Sequence, residues 1–417
     1  MLRIVNTLSA NVKIRLNKHT IDNVAFQLHY RFTMWFMIVL TVLVSTELIG
    51  NHIQCLSGNG VDNRVINTFC FFTTTFTVVK YMNKSMLNQH DIAHPGVGST
   101  GVNSDEPIQL HAYYQWVPYV LSFQALTFYI PHMIWKLKEG GRLKNLVAGL
   151  ELAAYATDKN LNIGKFRTPT KSEINQKFRD LNLAFSKRLI VNKDWSKWLI
   201  ICEFLNLFNI ILQIILTNWF LDGAFLSLGP KLIKEHFDNN SDTFILDKVF
   251  PKMTKCTFHK YGASGTIQSH DAMCVLALNI INEKIYSFLW FWFLIILIVS
   301  VCALIWRAVT ALFGRSRQLN ALIYSMEYSK EMNPWRIVKA AKRSDYLDWL
   351  FLTYVSKNMN PLVFKTFISQ LAKEWEEMEL IPNLLDEENS LDSEDYKDNK
   401  LRYIDDDSFG TMNKKQY

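Results

Sequence analysis

The chain has 417 residues, of which 49% are hydrophobic and 13% aromatic, with a formal net charge of +7 and a mean hydropathy of +0.03. The near-zero mean hides very apolar runs set between very polar ones. The surplus of Lys and Arg is confined to particular segments, which makes it a topology signal and excludes reading it as nucleic-acid binding.

Residues 1–31 are polar or mixed and carry 5 Lys/Arg, ending in Arg31. Phe32 to Gly50 then runs apolar, close to the ~20 residues a helix needs to cross ~30 Å of hydrocarbon. With that polar lead and no small-x-small site behind it, the run reads as a span, not a cleaved signal. Comparable runs cover Tyr113–Trp135, Trp198–Leu221 and Ile285–Trp306. The chain therefore reads as an all-α membrane protein with four transmembrane helices.

The second run opens "YYQWVPYVL". Tyr113, Tyr114 and Trp116 suit an aromatic belt at the interface, and Pro118 falls in the first turn, where its missing N–H has no helical partner. Pro131 should kink or end this helix unless neighbours satisfy the carbonyl it frees. In the third run, "CEFLNLFNIILQ" places Glu203, Asn206, Asn209 and Gln213 on one stripe about 120° wide. Polar groups are costly against lipid, so the stripe faces the bundle, a neighbouring subunit or water. Interhelical hydrogen bonding is the plainer reading, and lining a conduction path the sharper one. The fourth run is apolar all round, with Tyr286, Trp290, Trp292 and Trp306 as anchors near its ends.

Residues 136–197 hold 14 Lys/Arg and residues 307–417 hold 16, against 3 in 51–112 and 7 in 222–284. The positive-inside rule puts both termini and the middle loop in the cytoplasm. Cysteine usage agrees: Cys55 and Cys70 fall in the first outside loop, Cys256 and Cys274 in the second, and none in the long cytoplasmic segments. An even set on the oxidising side implies disulfides, with three pairings open. The same compartment argues against zinc at Cys256, His259, His270 and Cys274 despite their suggestive spacing.

Residues 307–385 read as a helical cytoplasmic region, and 386–417 as an acidic, disordered tail, with 10 acidic against 3 basic residues between Asp386 and Asp407. Sequons at Asn83 and Asn239 are candidate glycosylation sites. No nucleophile elbow, phosphate-cradling loop or catalytic carboxylate pair is present, so neither an enzyme nor a cofactor is expected.

"YYQWVPYVLSFQALTFYIPHMIW", which begins with Tyr113, Tyr114, Gln115, Trp116 and Val117, resembles the signature of the innexins, invertebrate gap-junction proteins. "IDNVAFQLHYRFT" (21–33), "HPGVG" (94–98), "FLDGAF" (220–225) and "FLWFWF" (288–293) are similar to innexin segments, insect ones in particular. "IGNHIQC" (49–55) departs from the family's Gly-Asp-Pro-Ile-x-Cys, altering backbone and charge just beyond the first span.

The resemblance implies a plasma-membrane homo-oligomer, an octameric hemichannel embedded in lipid. It would dock with a hemichannel of the same or another innexin and pass ions and small solutes. It implies pairing of Cys55 with Cys274 and of Cys70 with Cys256, outside loops braced by those disulfides, and a helical cytoplasmic dome. Within the cytoplasmic N-terminal segment 1–31, the stretch from Met1 to about Lys18 would fold into the pore as a funnel, with Met1, Leu2 and Arg3 its candidate residues. Rival readings are an undocked hemichannel releasing small solutes such as ATP, and a four-span adhesion protein without a pore.

Overall fold

The first helix starts where the sequence supplies a cap. Asn23 is extended, and its Oδ1 accepts the Phe26 N–H at 2.7 Å, opening α1 (Val24–Gln27). The chain continues through a π-helical segment, Leu28–Thr33, into α2 (Met34–Ile49). The computed structural model describes residues 20–49, 53–57, 61–82, 92, 94–98, 106–148, 162–163, 166–167, 170–187, 189–237, 245–313, 316, 345–360, 363–368 and 370–371. These divide into two units, one built from residues 22–140 and 198–307, the other from 1–21, 141–197 and 308–417.

In the first unit, β1 (Gln54–Ser57), α3 (Asn63–Thr73), β2 (Thr75–Val78) and β3 (Ile108–His111) follow α2. A 3₁₀ turn at Tyr113–Gln115 leads into α4 (Val117–Glu139), which has Pro118 in its first turn. The helix runs on through buried Pro131 and ends at Gly140, whose left-handed conformation (φ 58°) closes the last turn onto the Lys136 carbonyl.

The second unit contributes α5 (Arg142–Val147), a short hairpin of β4 (Asn162–Ile163) and β5 (Phe166–Arg167), and α6 (Lys171–Lys187). Then come α7 (Leu189–Phe220), α8 (Ala224–Phe237), α9 (Ile245–Val249), the hairpin of β6 (Met253–Tyr261) and β7 (Ile267–Val275), α10 (Ala277–Phe313) and α11 (Tyr346–Lys357).

Among the described residues, three helices are long and apolar enough to cross a membrane: Val24–Thr46, Asn192–Phe220 and Ala277–Phe313. Helix α4 has 23 residues but is more polar, with Gln124 and His132 on its buried side. The all-α expectation is too narrow. An antiparallel sheet in the order β1-β7-β6-β2-β3 lies between the long helices in sequence. Its strands are short or interrupted by charge, so their alternation is weak in the sequence, and cross-strand pairing carries the structure.

One apolar core joins helices to sheet. Met37, Val44, Val117, Leu121, Phe128, Ile210, Phe225, Tyr286 and Phe293 continue without a break into Ile53, Ile66, Phe250, Ala272 and Leu276. The outward faces of α2, α4 and α7 carry exposed Trp35, Val39, Phe123, Phe204 and Phe208, which water would not tolerate in such number. A lipid setting explains both faces.

In the other unit, α11 is buried along almost its whole length. Trp195 packs between Phe351 and Tyr354, with ring centroids at 5.2 and 5.3 Å. Ser196 Oγ donates to the Leu347 carbonyl at 2.6 Å, and the Asn358 amide bonds both the N–H and the C=O of Thr20.

Candidate functional site

The sheet is fastened by two disulfides. Cys55 on β1 sits directly opposite Cys274 on β7 and is bonded to it, with Cα atoms 4.0 Å apart. Cys70 on α3 is bonded to Cys256 on β6, with Cα atoms 5.9 Å apart. All four cysteines are buried, and the Sγ atoms of Cys55, Cys70 and Cys274 lie within 4.8 Å of one another. Each bridge joins the segment before α4 to the segment after α8, so the two segments form one body. A zinc site is incompatible with this arrangement. The thiols are consumed, and Phe258 rather than His259 stands opposite His270, so the two imidazoles leave opposite faces of the ribbon.

The "YYQWV" stretch ties this body to the helices. Tyr113 Oη donates to the Val249 carbonyl at 3.1 Å, and its ring meets Phe220 and Phe250 edge-on. Tyr114 is buried against Phe71, and the Gln115 amide donates to the Phe71 carbonyl. Val117 is buried in the core, while Trp116 is 60% exposed. Three consecutive side chains thus hold α3, α9 and the end of α7 at the head of α4. The helix start was legible, but Tyr113 and Tyr114, expected in an interfacial belt, pack into the core instead, on partners distant in sequence that were not legible.

Beneath them, Lys252 bonds Glu283 at 2.9 Å and Asp247 at 3.2 Å, and Asn279 Nδ2 donates to the Pro251 carbonyl at 2.9 Å. Above, His111 is buried on β3 with its Nε2 2.8 Å from Thr77 Oγ1. Burial pushes this imidazole down to about 4.

The stripe on α7 is buried among helices of the same chain. Gln213 Nε2 donates to Thr127 Oγ1 at 2.7 Å, and Gln124 Nε2 donates to Thr217 Oγ1 at 2.8 Å, pairing α7 with α4. Asn209 Oδ1 accepts from Gln213 at 3.2 Å, and Asn206 lies beside His29 and Ser300. Glu203 receives a two-pronged contact from Arg307 on α10, Nε to Oε2 and Nη2 to Oε1, both at 2.7 Å. Its Oε1 also accepts from Asn23 Nδ2 at 2.7 Å.

Along the π segment, His29 Nε2 pairs with Ser300 Oγ at 2.8 Å, and Trp292 Nε1 donates to Thr33 Oγ1 at 3.1 Å. Sequence reasoning missed Asn23, His29, Ser300 and Arg307. The cap residue before an apolar helix and an Arg just past an apolar run were their only signals. Met1, Leu2, Arg3, Asn83 and Asn239, and the tail at 386–417, lie outside the described residues.

Long apolar helices joined by buried polar contacts, under a cystine-fastened sheet made from two separate segments, define a multi-pass membrane protein with a rigid extramembrane cap. The family model for innexins matches residues 22–375, and the chain belongs to the innexin family. It is 44% identical to innexin inx7 of Drosophila melanogaster over 381 residues, covering 90% of this chain and 85% of that one. It is 36% identical to innexin inx2 of Schistocerca americana over 373 residues, covering 88% and 97%. With innexin inx2 of Drosophila melanogaster it shares 37% identity over 363 residues, covering 87% and 93%. Innexins are gap-junction channel proteins.

Proposed function

We propose that this chain is the subunit of a gap-junction channel. Copies assemble, as an octamer by family analogy, into a hemichannel that docks with a second hemichannel, of this or another innexin, in an apposed plasma membrane. Spans run at 32–50, 113–135, 198–221 and 285–306. Residues 51–112 and 222–284 face outward, and 1–31, 136–197 and 307–417 face the cytoplasm, in keeping with the Lys/Arg distribution. The long cytoplasmic segments form a helical dome, residues 386–417 are an acidic tail, and Met1, Leu2 and Arg3 line the funnel at the pore.

One observation carries the docking reading: the two outward segments are a single cross-braced body. The bridges span 219 and 186 residues, and on the chain-entropy account closing the first contributes ~5 kcal/mol, with less for the second nested inside it. A surface ordered before contact avoids the entropic cost of ordering loops on association. Ion passage then depends on pore width and lining charge, with no chemical step. Glycans at Asn83 and Asn239, where present, must point away from the apposed cell.

Paired cells expressing the chain test this directly. Junctional current and dye transfer between cells are the expected result. Surface-expressed protein that joins cells without any junctional current would overturn the reading.

A further inference from the structure

We propose that Asn23, Glu203 and Arg307 are positioning residues for the channel, fixing the start of the first helix against α7 and α10. The inference rests on the channel reading above.

The amide of Asn23 does two jobs at once. Its Oδ1 caps α1 through the Phe26 N–H, and its Nδ2 donates to Glu203 Oε1. A serine or aspartate would cap equally well, so capping alone does not require this residue type. An amide presents its acceptor and its donor on two separate atoms, whereas a serine hydroxyl carries both on one oxygen, which cannot occupy the Oδ1 and the Nδ2 positions together. Glu203 is 6% exposed and already holds the Arg307 guanidinium by both oxygens. Three elements are therefore locked by directional bonds meeting at one carboxylate. Apolar packing resists separation of helices but resists sliding weakly, whereas charge-assisted bonds at fixed angles resist both. His29 with Ser300, and Thr33 with Trp292, repeat the tie to α10 further along the same rod. An ion pair placed there for stability alone gains little, because well-packed apolar residues often serve as well.

The full-length chain, recorded as undocked channels and as junctional pairs, tests the proposal. Asn23→Ser keeps a cap oxygen and removes the separate Nδ2 donor that reaches Glu203. Surface amount, oligomer size and melting should stay at wild-type values, while unitary conductance or its voltage dependence shifts several-fold. Asn23→Asp, which sets a second carboxylate against Glu203, should shift it further. In a Glu203→Met, Arg307→Met background, Asn23→Ser should add nothing.

Wild-type conductance and voltage dependence in Asn23→Ser would overturn the proposal, as would an equal shift in the Met/Met background. Collapse of oligomer or melting in Asn23→Ser would assign the amide a merely structural role and overturn it too. Absence of current from the wild-type chain would instead sink the channel reading beneath it, so the two failures are distinct.

Discussion

Tyr261 and Ile267 face each other across the last rung of the β6–β7 hairpin, 77% and 69% exposed. Strand pairing supports the hairpin only near its base among the described residues: β1 pairs with residues 272–275, and β2 reaches β6 at Lys255, while Phe69 of α3 packs edge-on against Phe258. Further out, among the described residues, no third strand pairs with it. A two-stranded ribbon in water is marginal by itself, and an apolar pair at its tip has most to gain from a partner. Replacing both residues by serine should cut junctional conductance between expressing cells by ~10-fold or more, the scale of one lost apolar contact. Undocked channel currents should stay unchanged. Equal junctional conductance in paired recordings would exclude the tip from docking.

A second expectation concerns acid. Burial holds His111 neutral at about 4, against an ordinary value of 6.5, and its Nε2 is engaged with Thr77. The unfolded chain therefore takes up a proton at higher pH than the folded one. The stability linked to this residue is complete above pH 6.5 and falls as pH drops toward 4, by about 3 kcal/mol in total. Amide protection factors in β2 and β3, taken relative to the intrinsic exchange rate at each pH, should fall between pH 7 and pH 5, and His111→Gln should flatten that dependence. An identical acid profile in the variant would assign the effect to other groups.

Much of this architecture was readable because hydrophobicity and charge act over long segments. Helix α10 surrounds the run Ile285–Trp306, and the stripe from Glu203 to Gln213 was recognisable from spacing alone as one face. The sheet was not readable, since β1, β2 and β3 are four residues each and pair with strands far away in sequence. Nor did periodicity reveal the π segment, because six residues of altered pitch, split between a mixed stretch ending in Arg31 and the start of the apolar run, are too few to show a period. Glu203 was visible, but its partners were not: Asn23 is 180 and Arg307 104 residues away, and nothing local links them.

The sulfur cluster predicts an asymmetry between two cysteine substitutions. Cys256→Ser leaves Cys70 as a thiol within 4.8 Å of both sulfurs of the Cys55–Cys274 bridge. Its thiolate can attack either sulfur, forming a Cys70–Cys55 or Cys70–Cys274 bond and releasing the other cysteine as a thiol. Cys70→Ser removes that nucleophile, and so does the double serine variant. Non-reducing peptide mapping should find mispaired species in Cys256→Ser alone. The same scrambling in all three, or in none, would contradict the adjacency.

Gly229 on α8 lies against the indole of Trp290 on α10, so a Cβ added there would overlap the six-membered ring. Two effects of Gly229→Ala compete. Helix propensity favours alanine over glycine by about 0.5–1 kcal/mol. Overpacking against a large ring typically costs about 1–3 kcal/mol, and Pro230, next along the helix, limits how far the backbone can yield. The clash should win, lowering the melting temperature of the purified protein. Trimming the ring by Trp290→Leu should then make Gly229→Ala neutral or stabilising, reversing its sign in that background. A destabilisation unchanged by Trp290→Leu would show that the glycine is kept for another reason, and the proposed contact between α8 and α10 would lose its support.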